Sequence, residues 1–241
     1  PDGSRIAFFL NRDGGDIYVM DRDGRNQTNL TQDDTWNWDT SWSPDGMRIV
    51  FGGESIRTDA EVFVMDRDGT NKINLTRNEA EDRNPSWSPD GMTIAFASDR
   101  DGDYDIYIMS LDGSNQVPLT QNLSWSWGSP LSWSPDGTRI AFMSVTPRPT
   151  APHYGISIID ADGSNRTDLT QGEASDWDPA WSPDGTKLAF VSDRDGGLVF
   201  DKLTGGLVSE FLEIYVMDVQ GATAVRARGG RLTAWANLKA R

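Results

Sequence analysis

The residues able to do chemistry in this chain are few in type. It has no cysteine and one histidine, His153. A thiolate metal site is excluded, and any Ser–His–Asp relay would have to run through His153. Carboxylates dominate instead: 37 acids against 22 lysines and arginines give a formal net charge of −15. Such a surface repels nucleic acid and anionic lipid, and it favours basic peptides, metal cations or simple solubility. Acids and tryptophans gather in particular stretches. The first holds Trp36, Trp38 and Asp39, the second Asp82 and Asn84, the third Trp125 and Trp127, and the fourth Asp176, Trp177 and Asp178. Asp39, Asn84, Pro130 and Asp178 each lie three residues before a Trp-Ser pair. A fold that brought these positions together would make a ring of carboxylate and amide oxygens. Asp39 and Asp178 could then hold a hard cation such as Ca²⁺, or grip a lysine, an arginine or a peptide amine. Asp82 or Asp176 could complete a ring that Pro130 interrupts. The competing reading is that these groups cap strand starts and face water.

The elements that must position them come from an internal repeat. Pro-Asp-Gly recurs at Pro1, Pro44, Pro89, Pro135 and Pro183, and four copies read Trp-Ser-Pro-Asp-Gly, from Trp42, Trp87, Trp133 and Trp181. An apolar run follows each turn: Ile6-Ala7-Phe8, Ile49-Val50-Phe51, Ile94-Ala95-Phe96, Ile140-Ala141-Phe142 and Leu188-Ala189-Phe190. A second run comes next, as in Ile17-Tyr18-Val19-Met20 and Ile214-Tyr215-Val216-Met217. Each unit closes on Leu-Thr, at Leu30, Leu75, Leu119, Leu169 and Leu232.

These runs are short, rich in β-branched and aromatic residues, and bounded by Gly and Asp, so they predict strands. Each unit is read as four strands, a to d. Strand a carries the Trp, Ser-Pro-Asp-Gly turns it into b, and an Asp-Gly hairpin joins c to d. Strands b and c are apolar on both faces, as a sheet sandwiched between like sheets must be. The expected fold is an all-β propeller of five four-stranded antiparallel blades, in one domain over 1–241 with units beginning near 1, 44, 89, 135 and 183. The first unit lacks strand a, and the tail after Leu232-Thr233 is expected to supply it and close the ring.

The repeat resembles the PD40 (WD40-like) repeat of TolB-like β-propellers. The residues that carry the likeness are Trp-Ser-Pro-Asp-Gly, Ile-Ala-Phe, Ser-Asp-Arg-Asp-Gly, Ile-Tyr-Val-Met-Asp and Leu-Thr. The resemblance implies a bacterial, periplasmic or extracellular module that binds proteins. Propellers of that family commonly have six blades and follow an α/β domain; five units and no such domain are counted here. PD40 blades also accompany prolyl-oligopeptidase domains and occur in oligogalacturonate lyases. With no nucleophile elbow and too few histidines for a lyase metal site, the chain is expected not to be an enzyme.

Loop geometry divides the surface in two. The a–b and c–d turns share one face and are monotonous. The b–c and d–a connections share the other and vary between blades, which marks it as the binding face. It carries the acidic, Trp-rich stretches, His153 and Tyr154 in a b–c loop of the fourth unit, and an insertion in the fifth. That insertion includes Phe200 and Phe211, and alternating apolar residues around Thr204-Gly205-Gly206 predict an extra hairpin. The Asp-x-Asp-Gly runs, as at Asp21 and Asp66, are read as turn chemistry rather than calcium loops. The strand a tryptophans are read as wedges between blades.

Binding of a protein or peptide with a basic segment, with no required cofactor, is the favoured expectation; an oligomer is compatible with it. A carbohydrate-binding propeller, using loop tryptophans to stack on sugars, and a structural module of a larger protein are the alternatives. No apolar run approaches the length of a membrane span, and no secretory signal is visible at the N-terminus.

Overall fold

The structure, a computed structural model, describes residues 2–11, 14–55, 58–121, 129–146, 153–171, 173–194, 198–200, 207–209, 213–219 and 224–226. Blade I contains β1 (Arg5–Leu10), β2 (Asp16–Asp21) and β3 (Thr28–Asn29). Blade II contains β4 (Trp36–Trp42), β5 (Arg48–Ser55), β6 (Thr58–Asp66) and β7 (Ile73–Asn74). Blade III contains β8 (Asp82–Trp87), β9 (Thr93–Ser98), β10 (Asp105–Ser110) and β11 (Val117–Pro118). Blade IV contains β12 (Ser132–Trp133), β13 (Arg139–Thr146), β14 (His153–Asp160) and β15 (Thr167–Asp168). Blade V contains β16 (Asp176–Trp181), β17 (Lys187–Ser192), β20 (Glu213–Asp218) and β21 (Ala224–Arg226), with an accessory hairpin, β18 (Leu198–Phe200) and β19 (Leu207–Ser209). All strand pairings are antiparallel and follow chain order within each blade. This is the predicted five-bladed all-β propeller. No helix among the described residues is long and apolar enough to cross a membrane.

The repeated residues explain the blades. In each Ser-Pro-Asp-Gly turn the glycine sits at positive φ, as at Gly46 (69°) and Gly91 (72°), which a side chain would disfavour. The aspartate closes the turn: Asp45 Oδ1 accepts from Met47 N at 2.9 Å and from Ser43 Oγ, while Ser43 Oγ accepts from Arg48 N at 2.9 Å. The phenylalanine of strand b is wholly buried in blades II to V, at Phe51, Phe96, Phe142 and Phe190. Each such ring contributes about 1.5–3 kcal/mol by leaving water. It faces an aromatic on strand c in three of these blades, with ring centroids 5.7 to 5.9 Å apart. Blade IV differs: Ser157 opposes Phe142 there and bonds Ser144 and Asp168 instead.

Strand a wedges the blades together. Trp87 N donates to Ser41 Oγ of blade II at 3.3 Å, and Arg48 of that blade lies 5.5 Å from the Trp87 ring centre. Blades IV and V repeat this with Trp181, Ser132 and Arg139. The Leu-Thr threonine has a second job. Thr120 Oγ1 accepts from Ile106 N at 2.9 Å and donates to buried Asp105 at 2.7 Å, and Thr31 does the same with Ile17 and Asp16.

In blades I to IV the residue paired opposite position two of the strand c motif directly precedes the Leu: Asn29, Asn74, Pro118 and Asp168. In blade V Arg226 lies opposite Tyr215. Leu232-Thr233, expected to close the fifth unit, lies outside the described residues. One expectation needs correction: His153 and Tyr154 are not loop residues, because β13 and β14 extend to pair Thr146 with His153 and Val145 with Tyr154. Blade I has three strands among the described residues. The tail expected to complete it lies outside them.

Candidate functional site

Asp39, Asn84 and Asp178 share an uncommon backbone, with φ of 51°, 52° and 51°. Asn and Asp are the non-glycine residues that best tolerate this left-handed region. At each, the pairing of strand a with strand b slips: between Trp38 and Ser41, Arg83 and Ser86, and Trp177 and Ala180. Each residue therefore sits in a β-bulge, a device that re-aims a side chain. Blade IV places Pro130 here. Proline cannot reach positive φ, and the inner strand there is only Ser132–Trp133.

The three bulges open on one cavity of about 590 Å³, to which every blade contributes: Phe9 from I, Asp39 from II, Asn84 from III, Pro130 from IV and Asp178 from V. It is the axial channel. Asn84 is the hinge of its chemistry. Its Nδ2 donates to Asp39 Oδ2 at 3.1 Å. Its Oδ1 is buried and, among the described residues, has no hydrogen-bond partner. A buried acceptor left in that state costs about 1–3 kcal/mol.

The carboxylates are under matching stress. Burial in the channel raises Asp39 to about 6, and the neighbouring Asp178 charge adds to this, against Arg83 and a hydrogen bond from the Asn84 backbone, which pull it down. Asp39 still exposes a good part of its surface on this half-open cavity, where water screens its charge. Burial also raises Asp178, and nothing offsets it. Two carboxylates that are hard to ionise and an unsatisfied amide oxygen together invite a hydrogen-bonding cation.

The remaining predicted residues fall elsewhere. Asp82 and Asp176 do not line the channel. Asp82 is fully buried and pairs with Arg100 Nη2 at 3.0 Å, and Asp176 pairs with Arg194 Nη2 at 2.8 Å. Each arginine also lies 4.5 Å from the centre of a strand c tyrosine, Tyr107 or Tyr215. These are blade-internal clusters. Trp38 lies under Arg83, 5.1 Å from its guanidinium, and Arg83 bonds Glu81 at 3.0 Å and Glu54 at 3.4 Å. Trp177 packs beside Tyr154, with centroids 6.4 Å apart. Trp36 keeps 45 % of its surface exposed. Trp125, Trp127 and Phe211 lie outside the described residues, as do the side chains of His153 and Phe200. The predicted hairpin is present, pairing Leu198 with Ser209 and Phe200 with Leu207. Among the described residues, no three acidic or histidine side chains gather as a metal site.

Sequence reasoning missed Phe9, Pro85 and Pro179, the apolar wall of the same channel. Proline after the bulge residue, in Asn84-Pro85 and Asp178-Pro179, was the available signal. Phe9 gave none, because it follows the Ile6-Ala7-Phe8 motif at a place held by Gly52, Ala97, Met143 and Val191 in the other blades.

Fold and channel together define a β-propeller built from tandem repeats, with its polar mouth on the axis. The TolB beta propeller domain family, PD40, matches the chain over residues 54–148. The structure is similar to that of TolB from Acinetobacter baumannii (TM-score 0.70, 22 % identity), covering 92 % of this chain and 52 % of that one. It is similar also to a TolB-type protein from Agrobacterium tumefaciens (TM-score 0.69, 23 % identity), covering 91 % and 76 %. The chain thus spans about half the length of the Acinetobacter protein. No curated protein matches the sequence.

The expectation that the chain is not an enzyme does not stand. A puromycin-hydrolysing peptidase from Mycobacterium tuberculosis shares the fold (TM-score 0.69, 17 % identity), with 95 % of this chain covering 35 % of that one. An oligogalacturonate lyase in complex with manganese shares it too (TM-score 0.60, 16 % identity, 93 % and 74 %). Propellers of this shape therefore occur within enzymes, so missing catalytic motifs in a stretch of this length exclude nothing. At such identities the likeness carries the fold and points to no particular reaction.

Proposed function

We propose that this propeller binds a protein or peptide through a basic segment that docks on the variable face and reaches the channel mouth. The observation that carries the reading is the unpartnered, buried Asn84 Oδ1 between two carboxylates in an axial cavity. The net charge of −15 supports it by drawing basic partners to the surface. The resemblance to TolB-type propellers supports a protein partner and a periplasmic or extracellular setting in a bacterium.

A peptide library displaying one basic segment per member, screened against the immobilised chain, tests this. Basic peptides should bind, and the variant carrying Asp39→Asn and Asp178→Asn should lose at least tenfold in affinity. Retention of neutral and acidic peptides alone would overturn the reading. The half-exposed ring of Trp36 is the observation favouring a carbohydrate ligand instead. Glycan binding that is insensitive to salt and lost in Trp36→Ala would establish that alternative.

A further inference from the structure

We propose that the channel mouth is a socket for one primary ammonium group on an apolar stem, a lysine side chain entering end-on, in preference to a guanidinium or a divalent metal. This deepens the proposed function and rests on its choice of site.

The acceptors come first. Asp39, Asn84 and Asp178 occupy equivalent bulges in blades II, III and V and line one cavity. Asn84 Nδ2 is committed to Asp39, which fixes the orientation of the amide and leaves Oδ1 as the acceptor. Three oxygen-bearing side chains from three blades therefore surround the axis. An ammonium carries three donors arranged around its own axis and no acceptor. Donor count and acceptor groups match one to one, and the added positive charge relieves the like charges of Asp39 and Asp178.

The competing cations fit less well. Calcium takes six to eight oxygens, about twice what these side chains offer singly. A guanidinium is a planar fork whose best partner is one carboxylate met edge to edge. Here the acceptors are spread around a ring and one is an amide.

The wall supplies the second half of the match. Blade IV places Pro130 where blades II, III and V place acceptors, blade I adds Phe9 from its strand b, and Pro85 and Pro179 follow two of the bulges. Phe9 keeps 40 % of its surface exposed, beside the place where blade I has no strand a among the described residues. A four-carbon stem can lie against this wall while its head reaches the oxygens. A bare ion gains nothing from such a wall.

The test uses small probes on the intact chain: n-butylammonium, n-butylguanidinium and CaCl₂, each titrated while the Asn84 side-chain amide is followed by NMR. Butylammonium should shift that signal saturably and bind at least fivefold tighter than butylguanidinium. Excess CaCl₂ should not displace it beyond the effect of matched NaCl. Asn84→Leu and the Asp39→Asn, Asp178→Asn pair should each weaken binding at least tenfold, followed in the former by the Trp133 indole signal. Melting curves confirm that each variant is folded. Equal binding of the two organic cations, or saturable displacement by calcium, would overturn the proposal. So would butylammonium binding that survives in both variants. If butylammonium behaves as expected while the library yields no basic peptide, the peptide reading fails and the ammonium socket stands. If basic peptides bind but are indifferent to replacing lysine by arginine, the socket fails and the peptide reading stands.

Discussion

Asp39 shows how one residue carries opposite demands. Its carboxyl titrates near 6 in the folded protein against an ordinary value of 3.8, chiefly because burial disfavours the charge. The folded state therefore holds this proton more tightly than the unfolded chain does. Stability falls as pH rises from about 4 to about 6, and the cost is complete above that window. Asp39→Asn should accordingly raise the melting temperature at pH 7 and leave it unchanged near pH 3.5. The gain should be about 1 kcal/mol or less, since channel water screens the charge. Thermal melts of both proteins across that range would show it, and a gain that persists in acid would refute the assignment. The turn aspartates work the other way. Hydrogen bonds from Ser134 and Thr138 hold Asp136 at about 2, and Asp184 is held there in the same manner by Ser182 and Thr186. Their contribution is present above the ordinary value and is lost as pH falls through about 2. The whole chain should thus lose stability again in strong acid, in the Asp39→Asn variant as well.

At the scale of elements, strand a does two jobs that its sequence showed unequally. The Trp-Ser-Pro-Asp-Gly motif was legible because its turn is closed locally, by Ser and Asp five or fewer residues away. The offset of Asp39, Asn84 and Asp178 was legible because a ring converts equal spacing into proximity. Asp82 and Asp176 were misplaced for a physical reason: their partners, Arg100 and Arg194, arrive from the b–c loop 18 residues later, within the same blade. No spacing rule distinguishes that arginine from a solvated one. The Arg83–Trp38 stack joins two blades and was equally invisible. The buried pair makes a firm prediction. Asp82→Ala strips the charge partner from an arginine whose side chain is only 23 % exposed. It should destabilise the chain by about 3 kcal/mol, where a surface pair would cost under about 1. Chemical denaturation of this variant should leave butylammonium binding to the folded fraction unchanged, because Asp82 stays off the channel. Similar reasoning applies to Gly52, whose missing Cβ would come within 2.7 Å of the Trp38 indole nitrogen. Gly52→Val should push Trp38 off Arg83 and cost about 1–3 kcal/mol.

For the whole molecule, the charge and the channel act over different distances, and ionic strength separates them. A net charge of −15 steers a basic partner from afar. That attraction reaches about 10 Å at 0.1 M salt and about 3 Å at 1 M, so it is largely screened at high ionic strength. The contacts inside the channel lie within hydrogen-bond distance and behind the walls of five blades, so salt reaches them less. Raising NaCl from about 0.05 M to about 0.5 M should therefore slow association of a basic peptide by roughly tenfold or more and change its dissociation rate by less than about threefold. The Asp39→Asn, Asp178→Asn variant should show the reverse pattern. Long-range steering hardly changes when two of 37 acids are removed, so its association rate should stay close to that of the parent, while dissociation quickens. A sugar docked on Trp36 would leave both rates indifferent to salt. Surface plasmon resonance over a salt series, with the parent and the double variant side by side, resolves all of these patterns. If the variant lost association rate and kept its dissociation rate, the acids of the channel would be steering groups and the cavity would hold no part of the ligand.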